Sequence, residues 1–356
     1  MVELTREKTG EKLSCDFKEV NPDAMEDILG FQACIRDEYG ESYPRDYIYK
    51  PHELAEKIRQ GEILCYLALS DRKDPVASLA LTPFKGLERV PEMTMHVVRK
   101  TYRGFGVGTE FTKAVLDSPP IDEYNAVAIH SVTFHSIAQR QTISCGFLPT
   151  GFLLSVHSND ILKHSFDING CRKQSFAVAV LPKGKKDAGS LHLPPEHESF
   201  IKGIYEKLSV VFKQADGKNS EGKTEYHCEQ DETHLTKTTE VFKCGEDFEK
   251  LTDALLQKPY KMGQTINVFI NLNDPCAVYA YEVLKNRGFI FTGLHPLCAN
   301  GEFMIMHHPL GLGLPLDRLE IDEGYRRVYD YIAYGQIKSQ REGSANEEKM
   351  PMLPIT

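Results

Sequence analysis

The chain has no run approaching the roughly 20 apolar residues that span a bilayer. Its opening stretch, MVELTREKTGEKLSC, lacks the apolar core of a secretion signal. Both absences lead to the expectation of a soluble, cytoplasmic protein. Basic charge is not in excess either: 42 Lys and Arg face 51 Asp and Glu, a formal net charge of −9. That balance argues against non-specific affinity for nucleic acid or anionic membrane and leaves a local anion site open. The nine cysteines (Cys15, Cys34, Cys65, Cys145, Cys171, Cys228, Cys244, Cys276 and Cys298) are odd in number and nowhere spaced C-x-x-C. No disulfide framework or zinc ribbon is suggested, and reduced, mostly buried thiols are expected. What is present, 356 residues of which 41% are hydrophobic and 26% charged, excludes disorder as the main state and suits about two domains.

Periodicity gives the organisation. A strand at 13–20 is followed by Asn21-Pro22-Asp23, which supplies cap chemistry for a helix through Glu38, and a short helix fits 51–60. Strands at 63–70, 75–84 and 91–98 form a meander. A Gly-rich turn then enters an amphipathic helix at 107–117, with Val107, Phe111, Ala114 and Val115 on one face, stopped by Pro119-Pro120. Strands at 125–132, 147–156 and 174–181 around a helix at 135–144 complete an α+β unit over residues 1–182. Residues 183–195 have the composition of a linker. A second unit spans 196–338, with helices at 196–208, 246–257, 274–286 and 322–338, and strands around 222–242, 264–272, 289–295 and 302–307. Residues 339–356 read as a disordered tail. The halves echo each other: Gly146-Phe147-Leu148-Pro149-Thr150-Gly151 recurs 142 residues later as Gly288-Phe289-Ile290-Phe291-Thr292-Gly293. In both, the motif follows a strand and a helix and leads into a strand, which favours a duplicated unit.

The informative segment runs from Glu92 to Leu116. Arg103-Gly104-Phe105-Gly106-Val107-Gly108 sets three glycines between a strand and a helix start, where backbone N–H groups face whatever sits in the turn. Such a turn suits an anion such as a pyrophosphate, with Arg103 and Lys100 adding charge and the helix dipole adding attraction. The Walker pattern is absent. A dinucleotide fingerprint would need glycine where Arg103 stands and a βαβ setting that the meander does not offer.

The remaining pattern, R-x-x-G-x-G after a strand, resembles motif A of the GNAT acetyltransferase superfamily. His135-Ser136-Ile137-Ala138 followed by Gly146-Phe147 resembles its motif B, with His135 in the Asn position. The whole chain resembles a tandem form, in which two GNAT-like domains, each a mixed, mostly antiparallel sheet flanked by helices, follow one another and the second is degenerate. The resemblance implies acetyl-CoA or another acyl-CoA as co-substrate, its pyrophosphate on the backbone of Gly104, Phe105, Gly106, Val107, Gly108 and Thr109. It further implies cofactor contacts from Arg103 and His135, and a backbone N–H at Val97 or Val98 polarising the thioester carbonyl. Glu92 lies eleven residues before Arg103, where family members with a glutamate base carry it. Strand alternation puts Glu92, Thr94 and His96 on one face, so Glu92 and His96 are the expected catalytic pair. The family's usual acid, a tyrosine, is replaced by Thr142, which leaves water, Tyr102 or Tyr124 as proton donors, or binding without fast transfer.

The second unit has only Val241-Phe242-Lys243-Cys244-Gly245 before its helix at 246–257, so no cofactor is expected there. Covering the acceptor, contacting it, or forming a homodimer are its expected roles. Neither His227, Cys228 and His234 nor His307 and His308 have a metal-ligand spacing, and no metal is expected. The leading expectation is an N-acyltransferase acting on an amine by direct attack, with no nucleic-acid or membrane partner. The alternative is a non-catalytic acyl-CoA-binding regulatory or interaction protein.

Overall fold

The computed structural model describes residues 1–84, 86–158, 171–218, 220–257 and 263–347. The first half opens with β1 (Val2–Thr5) and β2 (Lys12–Glu19), then α1 (Met25–Tyr39), α2 (Pro51–Arg59) and the meander β3 (Leu64–Ser70), β4 (Pro75–Phe84) and β5 (Leu87–Val98). It continues with α3 (Val107–Leu116), β6 (Ala126–Val132), α4 (Ile137–Ser144), β7 (Leu148–Ser158) and β8 (Lys173–Pro182). Next come β9 (Asp187–Leu191), α5 (Glu198–Leu208), β10 (Val211–Gln214), β11 (Glu225–Asp231), β12 (Thr236–Lys243) and α6 (Phe248–Leu255). The chain ends through β13 (Thr265–Asn271), α7 (Ala277–Lys285), β14 (Ile290–Cys298), β15 (Gly301–His308) and α8 (Glu323–Glu347).

Local chemistry accounts for the helix starts. Asn21 shapes the turn before α1 rather than capping it: its carbonyl accepts from Ala24 N–H, and its backbone N–H donates to the buried Asp27 at 3.0 Å. Ile28, Phe31 and Ile35 then bury one stripe at helical spacing. Pro51 occupies the first turn of α2, where its missing N–H costs nothing.

Thirteen strands form one mixed, mostly antiparallel sheet in the order β1-β2-β3-β4-β5-β6-β8-β7-β14-β15-β13-β12-β11, with helices against it. Only β5/β6 and β12/β13 pair in parallel within it. The order β5-β6-β8-β7 of the first half repeats as β12-β13-β15-β14 in the second. The two runs meet where the echo motifs lie, at β7 and β14, with Gly151 opposite Gly293. One apolar core runs from Leu4 to Ile332 through both halves. A smaller one lies between α1, α2 and the other face of β3 to β5.

Three expectations require correction. Residues 183–195 are not a loose linker: β9 pairs with β10, Ala188, Leu191 and Leu193 are buried, and Lys185 forms a 2.7 Å ion pair with buried Glu302. Few apolar residues suffice there because the polar ones bond to the second half. The tail expected at 339–356 is helical through Glu347, as a continuation of α8, and 348–356 lie outside the described residues. α8, expected wholly within the second unit, bridges both halves: the Phe152 and Tyr325 rings lie 6.4 Å apart, Gln139 of α4 bonds both Glu320 and Asp322 ahead of it, and Tyr331 stacks on Phe200 of the second half at 4.1 Å.

Lys173 lies buried where the halves join, donating to Leu235 O and to the hydroxyls of Thr236 and Thr265 at 2.8–3.1 Å. Burial pushes its ammonium down to about 7. The folded chain therefore holds fewer protons than the unfolded one between that value and the ordinary lysine pKa of roughly 10.4, so stability rises with pH across this window. Urea midpoints should climb from pH 7 to pH 10 in the wild type relative to Lys173→Met. Parallel pH dependence in the two proteins would refute this.

Candidate functional site

A cavity of about 1500 Å³ runs through the first half and is closed at one side by the second. Gly104, Gly106, Val107, Gly108 and Thr109 line one end of it. Gly106 caps α3 with φ 79°, a left-handed conformation that glycine adopts without cost, and no side chain bonds the helix start. The first-turn N–H groups, which have no partner one turn back, are thus left to the cavity. The nearest neighbour of a Cβ on Gly108 would be the Gln141 amide, at 3.0 Å.

The strands make the opening. β5 and β6 pair only through Glu92–Ala128 and Met93–Ile129 and then part, so Val97 and Val98 line the cavity with no strand beside them on that edge. His135 lies on the wall just before α4, and burial lowers its imidazole pKa. Arg103 also lines it, but its guanidinium is engaged by Glu38 and by Val98 O at 3.1 Å, so it braces the turn. Phe105, expected to contribute its backbone, does not line the cavity with its side chain. It is buried in the core, with Arg6 stacked over its ring at 4.2 Å and bonded to Thr101 O. Arg6, just past a strand that the sequence pattern did not reveal, carried no signal of this supporting role. Lys100 is not part of the wall, and its N–H donates to Asp37.

Glu92 and His96 are not brought together. Met95 takes φ 51° and the β4/β5 register slips by one residue between Ser78 and Ala80, a bulge that reverses which face the next side chain takes. Thr94 stays on the α1/α2 side, bonded to Tyr43 at 3.2 Å. His96 turns to α3 and α4, where Nδ1 lies 3.3 Å from the Gln141 amide and the ring meets Phe111. Burial holds its imidazole down at about 4, so it is neutral at pH 7.

The partner of Glu92 is instead His130 of β6, whose Nδ1 is 3.1 Å from the carboxylate. Burial would raise the Glu92 pKa. The charge and hydrogen bond of His130, with Arg45 and His157, outweigh it and hold the group at about 2. His130 packs edge-on to Phe84 and lies 5.8 Å from the ring of His295, a second-half residue. Its Nε2 has no hydrogen-bond partner among the described residues. The sequence carried one usable sign of this pair: the residues of β6 that flank β5 in a parallel pair include this histidine.

Thr142 is buried and committed, donating to Ala138 O at 2.8 Å and sharing a 2.9 Å bond with Ser131. The Tyr325 hydroxyl of α8 lies beside both without a fully formed bond to either. Of the other hydroxyls considered, Tyr102 lines the cavity and Tyr124 does not.

Glu229, Asp231, His234 and Glu240 of the second half form the facing wall, with Glu240 bonded to His227 at 2.9 Å. The corresponding turn of the second half is filled by its own chain. A Cβ on Gly245 would meet the Lys223 carbonyl carbon at 2.3 Å, Glu246 N–H donates to Gly222 O, and β12/β13 stay paired from Thr236–Thr265 to Val241–Ile270. Among the described residues no three potential metal ligands cluster, and no helix is long and apolar enough to cross a membrane.

No family model and no curated protein matches the chain. Among solved structures, a mutant spermidine N-acetyltransferase from Vibrio cholerae aligns at 14% identity over 48% of this chain and 94% of its own, with a TM-score of 0.38. The same organism's spermidine N-acetyltransferase in complex with CoA and spermine aligns at 17% identity over 48% and 95%, TM-score 0.38. A putative acetyltransferase from Acinetobacter baylyi ADP1 aligns at 14% identity over 48% and 93%, TM-score 0.39.

Proposed function

We propose that the chain is an acyl-CoA-dependent N-acyltransferase using acetyl-CoA in the cytoplasm, with one cofactor site in residues 1–182 and an acceptor side closed by residues 196–338. One observation carries this: the uncapped start of α3, the parted β5 and β6, and the Glu92–His130 pair open into a single cavity. The residues fit the cofactor. N–H groups of Gly106 to Thr109 meet a pyrophosphate, and the free edge of β5 at Val97 and Val98 meets the pantetheine arm and the thioester carbonyl. A single site is favoured because the second half's corresponding turn is occupied by its own backbone.

Deprotonation falls to Glu92 and His130 as a unit. The imidazole, whose Nδ1 is 3.1 Å from the carboxylate and whose Nε2 has no hydrogen-bond partner among the described residues, takes the proton, and the carboxylate orients Nδ1–H and balances the imidazolium. The amine attacks the thioester carbonyl, the C–S bond breaks, and CoA leaves.

Gly108→Glu sets a carboxylate at the helix start, and the atoms nearest its Cβ belong to the flexible Gln141 amide. Calorimetric titration should show acetyl-CoA affinity reduced at least about 100-fold, roughly the cost of an unpaired like charge at a dipole-assisted anion site, with an unchanged urea midpoint. Undiminished affinity would remove the site assignment. The commitment of Thr142 favours a second reading, a module that binds acyl-CoA without turnover. Thiol release that depends on both an added amine and His130 excludes it.

A further inference from the structure

Arg45 is a partly buried cation of this cavity with no carboxylate within ion-pair distance, the Tyr47 hydroxyl being its side-chain partner. It follows Pro44 in the turn after α1, is partly buried, and lines the chamber beside Tyr43, Tyr47 and Glu92. Of the cavity's other cations, Lys57 pairs with Glu62 at 2.6 Å and Arg103 with Glu38, while Arg140 of α4 lines it with its side chain exposed to solvent. Among the described residues no carboxylate oxygen lies within 4.0 Å of Arg45, although Glu92 is close enough for the two charges to act on each other. Glu92 is already bound to His130, and Tyr43 to Thr94. Proteins rarely leave a guanidinium partly dehydrated and unpaired, because its fixed planar fork suits a carboxylate and its charge is costly to bury alone.

We infer that the acceptor is an amino acid whose carboxylate is taken by Arg45 while its amine faces Glu92 and His130. This rests on the transferase reading and specifies its substrate class. The ammonium loses one proton to His130, which passes it to solvent. The freed nitrogen lone pair forms the C–N bond as the C–S pair departs on sulfur, and the second nitrogen proton neutralises that thiolate. The products are an N-acyl amino acid, CoA and one proton. An acceptor with amines only would leave Arg45 facing like charge.

The test uses the full chain, acetyl-CoA, and pairs of acceptors that differ only in the carboxylate: α-, β- and ω-amino acids against their decarboxylated amines, read by thiol release. Wild type should prefer at least one amino acid over its amine by about 100-fold or more in kcat/KM, the scale on which a site built for a polar group rejects a ligand lacking it. In Arg45→Gln that ratio should collapse to within about fivefold through KM, and Arg45→Lys should restore part of it. Turnover without preference, a preference that survives in Arg45→Gln, or turnover of no amino acid while acetyl-CoA binds would each overturn the inference alone. Absence of acetyl-CoA binding by calorimetry would overturn the transferase reading beneath it.

Discussion

His130→Gln is expected to lower kcat by about 10²–10³, within the usual contribution of a positioned acid–base group, with acetyl-CoA affinity unchanged. The substitution keeps a polar side chain of similar reach, so Glu92 retains a donor and the fold is spared. What disappears is the imidazole that takes the proton. Glu92→Gln should cost about 10-fold or more, because Nδ1–H keeps an acceptor but the imidazolium loses its counter-charge. His96→Gln should cost under about fivefold, since the bulge at Met95 turns that ring away from Glu92 and burial keeps it neutral. The acid limb of the pH profile is a further discriminator. A limb seen in wild type should survive unmoved in His96→Gln but shift in His130→Gln, where Glu92 loses the charge and hydrogen bond that hold its carboxyl down while burial still raises it. The opposite ranking, with His96→Gln the more damaged, would reinstate the pair expected from strand alternation.

Gly293→Ala should produce the largest loss of stability of any single methyl addition, more than about 4 kcal/mol, the range reserved for overpacking against an immovable neighbour. A Cβ there would stand 2.2 Å from the Gly151 Cα and 2.5 Å from Thr150 O, with φ at 123° as well. Backbone cannot yield as a side-chain end can. The join of β7 and β14 would have to separate, and the second-half wall of the cavity would go with it. Gly313→Ala, which meets nothing within 4 Å, should stay within about 0.5 kcal/mol of wild type. Urea unfolding of the two variants beside wild type measures both. A cost under about 1 kcal/mol at Gly293 would show that the halves can shift apart without penalty.

The legible part of this protein is its local part. Arg103, Gly104, Gly106 and Gly108 mark the turn proposed to hold an anion, because its ingredients sit next to one another in the chain: a strand end, a left-handed glycine and the free N–H groups of a helix start. The helix and strand periods place α1 to α4 and β2 to β8 within a few residues, and the repeated G-F-x-x-T-G marks two segments that the fold sets side by side. β1, β9 and β10 escaped because each is only four or five residues long, too short for a two-residue period to show.

Tertiary structure decided which side chains meet in the cavity. One inserted residue in β5 changes the parity of a strand and moves His96 to the opposite face, which no alternation count contains. The parallel register of β5 and β6 brings His130 to Glu92 across 38 positions of sequence, and a turn after α1 brings Arg45 to the same chamber. The closing of two halves into one sheet follows from two glycines meeting backbone to backbone. Sequence fixes what depends on neighbours in the chain, whereas a cavity's partners are set by register and packing between segments far apart in it.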